Sequence, residues 1–265
     1  MIDLSSAKHL QESKFEFNGQ AIYIKRSNDY REFVAEGIAK FLDINTIHYE
    51  IGIRNGNQIT FSESFYNEDE TYVDGGQLLS SYLSNLADTN YLSILHLNNL
   101  TDIFCALKSL FDSEYNSDIQ KIKYDLVKMF CFDILLRNYD RETPNWGIIS
   151  KNKEIRLAPM FDNESILTGA KFSISMGMDR DNNEVLFTEL LEKFLSTSDS
   201  TFRVTFFDMY DKLTLEALES VFKEVEKGRN ITIESNYRSE ALNNYNKHRS
   251  SLQPVVEQYR QGKKL

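Results

Sequence analysis

The chain has little of what marks a disordered, secreted or membrane-spanning protein. Its 265 residues include only three prolines (Pro144, Pro159 and Pro254), two cysteines and one tryptophan. No proline-rich or low-complexity tract offers a linker, and no internal repeat is visible. Cys105 and Cys131 lie too far apart for a short metal-ligand motif, so reduced thiols in a cytoplasmic protein are expected rather than a disulfide framework. The start, "MIDLSSAKHLQESKFEF", lacks the charged-then-apolar order of a secretory signal. No apolar run approaches membrane-spanning length, and no membrane association is expected. Positive charge is also in deficit. Thirty Lys and Arg face forty Asp and Glu, a net charge of -10, which argues against direct nucleic-acid binding.

What the chain does have is aromatic and aliphatic mass. Eighteen Phe and fourteen Tyr, within an apolar fraction of 41%, are enough for a substantial core in one or two domains. Residues 13–26 predict a hairpin about Asn18-Gly19, because that dipeptide supplies the positive backbone angles of a tight turn. In its second strand Ile22 and Ile24 face one way, and Ala21, Tyr23 and Lys25 the other. Tyr30, Phe33, Val34, Gly37, Ile38, Phe41 and Leu42 then recur at helical spacing. A second hairpin is expected about Asn55-Gly56. After Gly75-Gly76 the pattern turns helical, with spans near 76–86, 98–112, 117–137, 186–196, 212–227 and 236–261. A small β-rich part ahead of a larger helical part predicts a ligand cleft between them.

The helical pattern is interrupted at "CFDILLRNYDRETPNWGIISKNKEIRLAPMFDNES", residues 131–165. "WGIIS" and "IRLAP" predict short strands joined by a polar turn at 151–154. Such a hairpin brings Asn145, just before the first strand, near Asp162, just after the second, with Asp140 on the loop before them. Asp and Asn are common as loop caps, and each alone reads that way. Together they also form a set of hard oxygen donors of the kind Mg²⁺ uses beside phosphates, with one carboxylate left to orient a hydroxyl. Lys25 adds a cation on a sheet face, followed by a helix bearing Glu32 and Glu36 one turn apart. A lysine fixed by a helix acid is how kinases hold nucleotide phosphates. Glu32 has a second reading as the third residue of a capping box begun by Asp29.

"FDILLRNYDRETPNWGII" closely resembles the catalytic stretch of HipA-like serine/threonine kinases, in which a helix ends in Asn-x-Asp-Arg-His-x-x-Asn before a Gly-bearing strand. "RLAPMFDNES" is similar to the same family's metal-binding segment. The resemblance runs from about residue 10 to 200 and implies an α+β, two-lobed protein-kinase-like fold. Residues 1–70 would form the β-rich lobe that binds the ATP phosphates, and 71–265 the helical lobe with the catalytic loop and metal site. By the same carry-over Asp140 is the catalytic carboxylate, and Asn145 and Asp162 hold Mg²⁺. Lys25 contacts ATP, Glu32 rather than Glu36 pairs with Lys25, and Glu63 and Phe65 offer backbone groups to adenine. The implied reaction is phosphoryl transfer from ATP to a Ser or Thr of a protein. The family includes toxin components of bacterial toxin–antitoxin systems, so a small antitoxin or accessory protein is an implied partner.

Two departures stand out. Glu142 occupies the family's usual His position, and no glycine precedes Gly19, so no Gly-rich loop covers the phosphates. Residues 4–8, "LSSAK", are a candidate substitute through Ser5 and Ser6. Ser165, Thr168, Ser173 and Ser175 are candidate autophosphorylation sites. A kinase-fold module that only binds a partner, or a kinase acting on a lipid or small molecule, are the alternative readings.

Overall fold

The computed structural model describes residues 1–11, 13–25, 30–85, 99–111, 113–168, 187–196 and 200–262. Six strands build the first sheet: β1 (Ile2–Asp3), β2 (Lys8–Gln11), β3 (Lys14–Phe17), β4 (Gln20–Lys25), β5 (Tyr49–Arg54) and β6 (Asn57–Glu63). Their order is β1-β5-β6-β4-β3-β2, with α1 (Tyr30–Phe41) connecting β4 to β5. The two Asn-Gly hairpins form as their sequences require: Asn18 and Gly19 have φ of 51° and 80°, Asn55 and Gly56 of 51° and 79°. The first two strands were not anticipated. β1 is two residues long and pairs in parallel with β5, too short for any periodic signal.

The sheet curls, and its two faces differ. On one face Phe15, Ile22, Ile24, Ile59 and Phe61 close a small core with Leu4 and Ala7, which lie on the crossing from β1 to β2. Ser5, on that crossing, hydrogen-bonds Asp3 and accepts from the Asn55 N–H, at the β5–β6 turn rather than at Lys25. The opposite face carries Tyr23 and Lys25 and meets α1 and the helical lobe.

The helical lobe begins with β7 (Thr71–Asp74), which pairs with β8 (Gly147–Lys151); β9 (Glu154–Leu157) completes a three-stranded antiparallel sheet. Around it lie α2 (Gly75–Asn85), α3 (Leu100–Leu110), α4 (Asn116–Leu136), α5 (Phe187–Ser196), α6 (Ser200–Lys212), α7 (Leu215–Arg229) and α8 (Ser235–Arg260). Strand β7 and helix α6 lay outside the predicted spans. In α6 Phe202, Phe206 and Met209 pack into the core. Helix α4 is the spine of this lobe. From Met129 to Leu136 every side chain is buried, which is the pattern of a helix surrounded by others.

One continuous core runs from α1 through α4 into α5–α8, so the helix behind Lys25 is packed as part of the helical lobe. The contact is close: a Cβ at Gly37 on α1 would sit 2.7 Å from Val225 and 2.9 Å from Val221 of α7. The predicted α1 stripe needs one correction. Phe41 is 44% exposed, whereas Glu32 and Glu36 are buried, so two carboxylates occupy positions that periodicity assigns to solvent. No helix among the described residues is long and apolar enough to cross a membrane.

Candidate active site

Helix α4 ends because Arg137 adopts a left-handed conformation, φ 57°, and the Arg137 and Asn138 N–H groups both return to the Asp133 carbonyl. This turn sends residues 138–142 across the end of the helix. The Glu142 N–H donates to the Asp140 carbonyl (2.9 Å) and the Asn145 N–H to the Glu142 carbonyl (3.1 Å). A short 3₁₀ turn, Thr143–Asn145 with Pro144 inside it, then leads to β8. Glu142 is half-buried and contributes its backbone to this loop. The loop is braced from α2, where a Cβ at Gly75 would lie 2.2 Å from the Trp146 ring.

Arg141 holds the loop from inside. It is fully buried, with its Nε donating to Asp133 Oδ2 (3.0 Å) and an Nη to Asp133 Oδ1 (3.1 Å). The other Nη donates to the carbonyls of Asn145 and Phe161, each at 2.9 Å, and the guanidinium also bonds Asn163 Oδ1. Asp133 and Asn138, likewise buried, are bonded to each other at 2.7 Å. One planar cation therefore ties α4 to both flanks of the β8–β9 hairpin. It fixes Asn145 on one side and the residues either side of Asp162 on the other.

Asp140 and Asn145 meet directly. The Asn145 Nδ2 donates to the Asp140 carbonyl at 2.8 Å, so the nitrogen end of the amide is anchored. Burial pushes the Asp140 carboxyl above its ordinary value, and the nearby Asp162 charge pushes it further. A hydrogen bond from the Ser165 hydroxyl, 3.4 Å from Asp140 Oδ2, opposes that rise. Ser165 is itself buried, and Thr168 bonds its carbonyl; Ser173 and Ser175 lie outside the described residues.

Lys25 reaches Asp162 from the sheet. Its Nζ pairs with Glu32, with Asp162 Oδ1 at 2.7 Å and with Glu164 Oε2 at 3.2 Å. Burial alone would lower the Lys25 pKa, but the Glu32 and Asp162 charges outweigh it and hold the ammonium above its ordinary value. Burial pushes the Glu32 carboxyl up, against the pull of Lys25 and of the Asn163 N–H that it accepts at 3.2 Å. Glu36 does not join this group. It binds Lys40, His48, Arg229 and the Tyr49 N–H, beside an 820 Å³ cavity behind α1. Asp29 lies outside the described residues, so the capping box is not described.

Oxygen ligands of Glu32, Asp162 and Glu164 all fall within 4.8 Å of one another. With these carboxylates ionised, one ammonium among them leaves two surplus negative charges. Hard oxygen donors with a divalent charge deficit are the chemistry that Mg²⁺ fits. Glu164 was not singled out from the sequence. Its only signal was spacing, since a loop residue two beyond Asp162 can turn back to the same cation.

At the end of β6, the Ser64 N–H bonds the Ala21 carbonyl at 2.9 Å. By the alternation of an antiparallel ladder, the facing pair Ile22–Glu63 exchanges no hydrogen bonds, and the Glu63 backbone groups turn away from β4. The Phe65 carbonyl accepts from Arg156 at 3.4 Å. The Phe65 ring lies nearly parallel to both Tyr23 of the sheet (6.4 Å between centroids) and Phe161 (5.2 Å), bridging the two lobes.

No protein-family model matches the chain. Over 71 residues it is 37% identical to the serine/threonine-protein kinase CtkA of Helicobacter pylori, a stretch covering 26% of this chain and 21% of that protein. Its fold is similar to the crystal structure of the H. pylori proinflammatory kinase CtkA, with a TM-score of 0.72, 18% identity and 98% of each chain covered. It is also similar to HipA as found in a Shewanella oneidensis toxin–antitoxin complex of HipA, HipB and operator DNA. There the TM-score is 0.64 and the identity 12%, over 96% of this chain and 67% of that one. The chain thus has the HipA-like kinase fold, a curled β-rich lobe and a helical lobe, as the sequence motifs led one to expect.

Proposed function

We propose that this protein, with the fold of the HipA-like kinases, is an ATP- and Mg²⁺-dependent serine/threonine protein kinase. The observation that carries the reading is the convergence of Lys25, Glu32, Asp162 and Glu164, with Asp140 and Asn145 held alongside by Arg141. In this reading residues 1–70 hold the nucleotide, and 71–265 supply the catalytic loop and metal ligands. Lys25, kept charged by its carboxylate neighbours, contacts the phosphates. Asn145 and Asp162 hold Mg²⁺, with Glu164 in reach. The bound ion neutralises charge on the phosphate oxygens. Asp140 orients the acceptor hydroxyl and takes its proton, and the Ser165 hydroxyl bonded to it marks how such a group approaches. Glu63 and Phe65 line the adenine side. Catalysis rests on positioning and charge neutralisation more than on covalent chemistry. A Ser or Thr of a protein is the acceptor, and a small antitoxin-like protein is a candidate partner, by analogy with the HipA–HipB complex.

One observation favours a second reading, a kinase-fold module that binds a partner without transferring phosphate. The Phe65 ring lies between Tyr23 of the sheet (6.4 Å between centroids) and Phe161 (5.2 Å), on the side this reading gives to the base. A single experiment separates the two. The protein is incubated with labelled ATP and Mg²⁺, alone and with a host lysate, and phosphosites are read by mass spectrometry. Label transfer by wild type, absent in Asp140→Ala and in Asp162→Ala, supports the kinase. No transfer by the wild type, or full transfer by either variant, overturns it or the site assignment.

A further inference from the structure

Between α1 and the Asp162 segment lies a buried residue to which no role has been given, Tyr49, the first residue of β5. It is 3% exposed. The stretch leading into it is stitched to the metal-site segment by backbone. The Met160 N–H donates to the Asn45 carbonyl (2.8 Å), and the Ile47 N–H and Thr46 hydroxyl donate to the Met160 carbonyl (3.1 and 2.8 Å). Two residues further along both segments, the Asp162 N–H donates to the Tyr49 phenol oxygen at 3.3 Å. The Glu32 carboxylate lies beside the same phenol, and the ring lies 5.9 Å below the Lys25 ammonium. The Asp162 φ is 56°, a left-handed conformation that is uncommon for a residue with a Cβ, though Asp adopts it more readily than most.

Tyr49 is in turn pinned from the helical lobe. Its N–H donates to Glu36 Oε2 at 3.1 Å, and its carbonyl accepts from the Arg229 guanidinium at the end of α7. Arg229 also pairs with Glu36 and stacks over Phe33 of α1, 4.2 Å from the ring centroid. The buried carboxylate that Lys25 does not use is thus the centre of a second clamp, one that joins α7, α1 and β5.

We propose that Tyr49 is a positioning residue that sets Asp162 and Glu32 relative to Lys25, and that the Arg229–Glu36 pair holds Tyr49 in place from behind α1. The role in turnover rests on the kinase reading above; the contact itself does not. Tyr49→Phe keeps the ring and removes only the oxygen. Residue-resolved hydrogen exchange on the full chain, without nucleotide, then reports the Asp162 amide directly. Exchange there is expected to rise about tenfold, because the N–H loses its acceptor. In phosphotransfer assays kcat is expected to fall about tenfold with KM for ATP within twofold, the signature of lost positioning rather than lost binding.

Arg229→Lys keeps the charge but cannot fork between Glu36 and the Tyr49 carbonyl. It should move both readouts in the same direction. In the double variant the two losses should combine to less than their product, since both act through one contact. Unchanged exchange at Asp162 in Tyr49→Phe would overturn the contact, and unchanged kcat its role. Fully multiplicative losses would overturn the Arg229 link. Wild-type protein that transfers no phosphate would sink the kinase reading instead, and the exchange comparison would still decide Tyr49.

Discussion

Replacing Arg141 by Met tests the internal brace of the site most severely. The substitution keeps much of the side-chain volume and removes every donor. It strands Asp133, which is fully buried and whose two oxygens both accept from Arg141. Breaking a buried ion pair from one side costs about 3–5 kcal/mol, because the remaining charge is left without compensation. The carbonyls of Asn145 and Phe161 lose a donor as well. Against a total stability of roughly 5–15 kcal/mol for a domain, that is a large share. At about 2–4 °C per kcal/mol for a chain of this size, the melting temperature should fall by roughly 6–20 °C.

A second change isolates the cause. Asp133→Asn in the Arg141→Met background removes the stranded charge and keeps the oxygen that accepts from Asn138. The double variant should recover about half of the lost stability, since an unpaired buried charge is the larger part of the cost. Phosphotransfer should stay low, because nothing then fixes Asn145 and Phe161. Thermal unfolding by circular dichroism at neutral pH reads the first effect, and labelled ATP the second. A single variant melting within about 2 °C of wild type, or a double variant melting no higher than the single, would refute the brace.

Two further outcomes follow from titratable groups whose pKa the fold shifts. His248 of α8 bonds the Ile134 carbonyl, one of the last acceptors of α4, at 2.7 Å, and burial pushes its pKa down to about 4. Its neutral form stabilises the fold above the unfolded pKa, so about 3 kcal/mol should drain away as the pH falls from about 6.5 to about 4. His248→Gln should flatten that window in pH-dependent melting, and a slope equal to wild type would contradict the assignment. For Asp140 the sign is opposite. A carboxyl held above its ordinary value stabilises the fold only while protonated, and that contribution is lost as pH rises through the raised value. Asp140→Asn should therefore melt above wild type at pH 7, the gap closing toward the ordinary carboxylate range near 3.8, while phosphate transfer disappears. A variant melting below wild type at pH 7 would argue against this reading.

Local chemistry wrote much of this protein legibly. The Asn-Gly turns, the period of α1 and the apolar length of α4 each depend on residues a few positions apart. The hairpin at 147–157 is equally local, and it leaves Asn145 and Asp162 at the same end. The hairpin pattern pointed to Asp140, Asn145 and Asp162 and strand alternation to Lys25, while the choice of Glu32 over Glu36 came from the family resemblance. The tertiary structure decided what depends on distant partners. Strand β1 exists only because β5 lies beside it, and β7 only because β8 does. The burial of Glu32 and Glu36 inverts the pattern of α1, and it is made tolerable largely by distant partners, among them Lys25, the Asn163 N–H and Arg229, the last of them 193 residues from Glu36. Arg141 was not singled out from the sequence, and its role comes from the fold that surrounds it with Asp133, Asn163 and two carbonyls. Periodicity reports which face of an element seeks apolar company. It cannot report a buried charge, because the groups that make such burial favourable arrive only when the chain has folded.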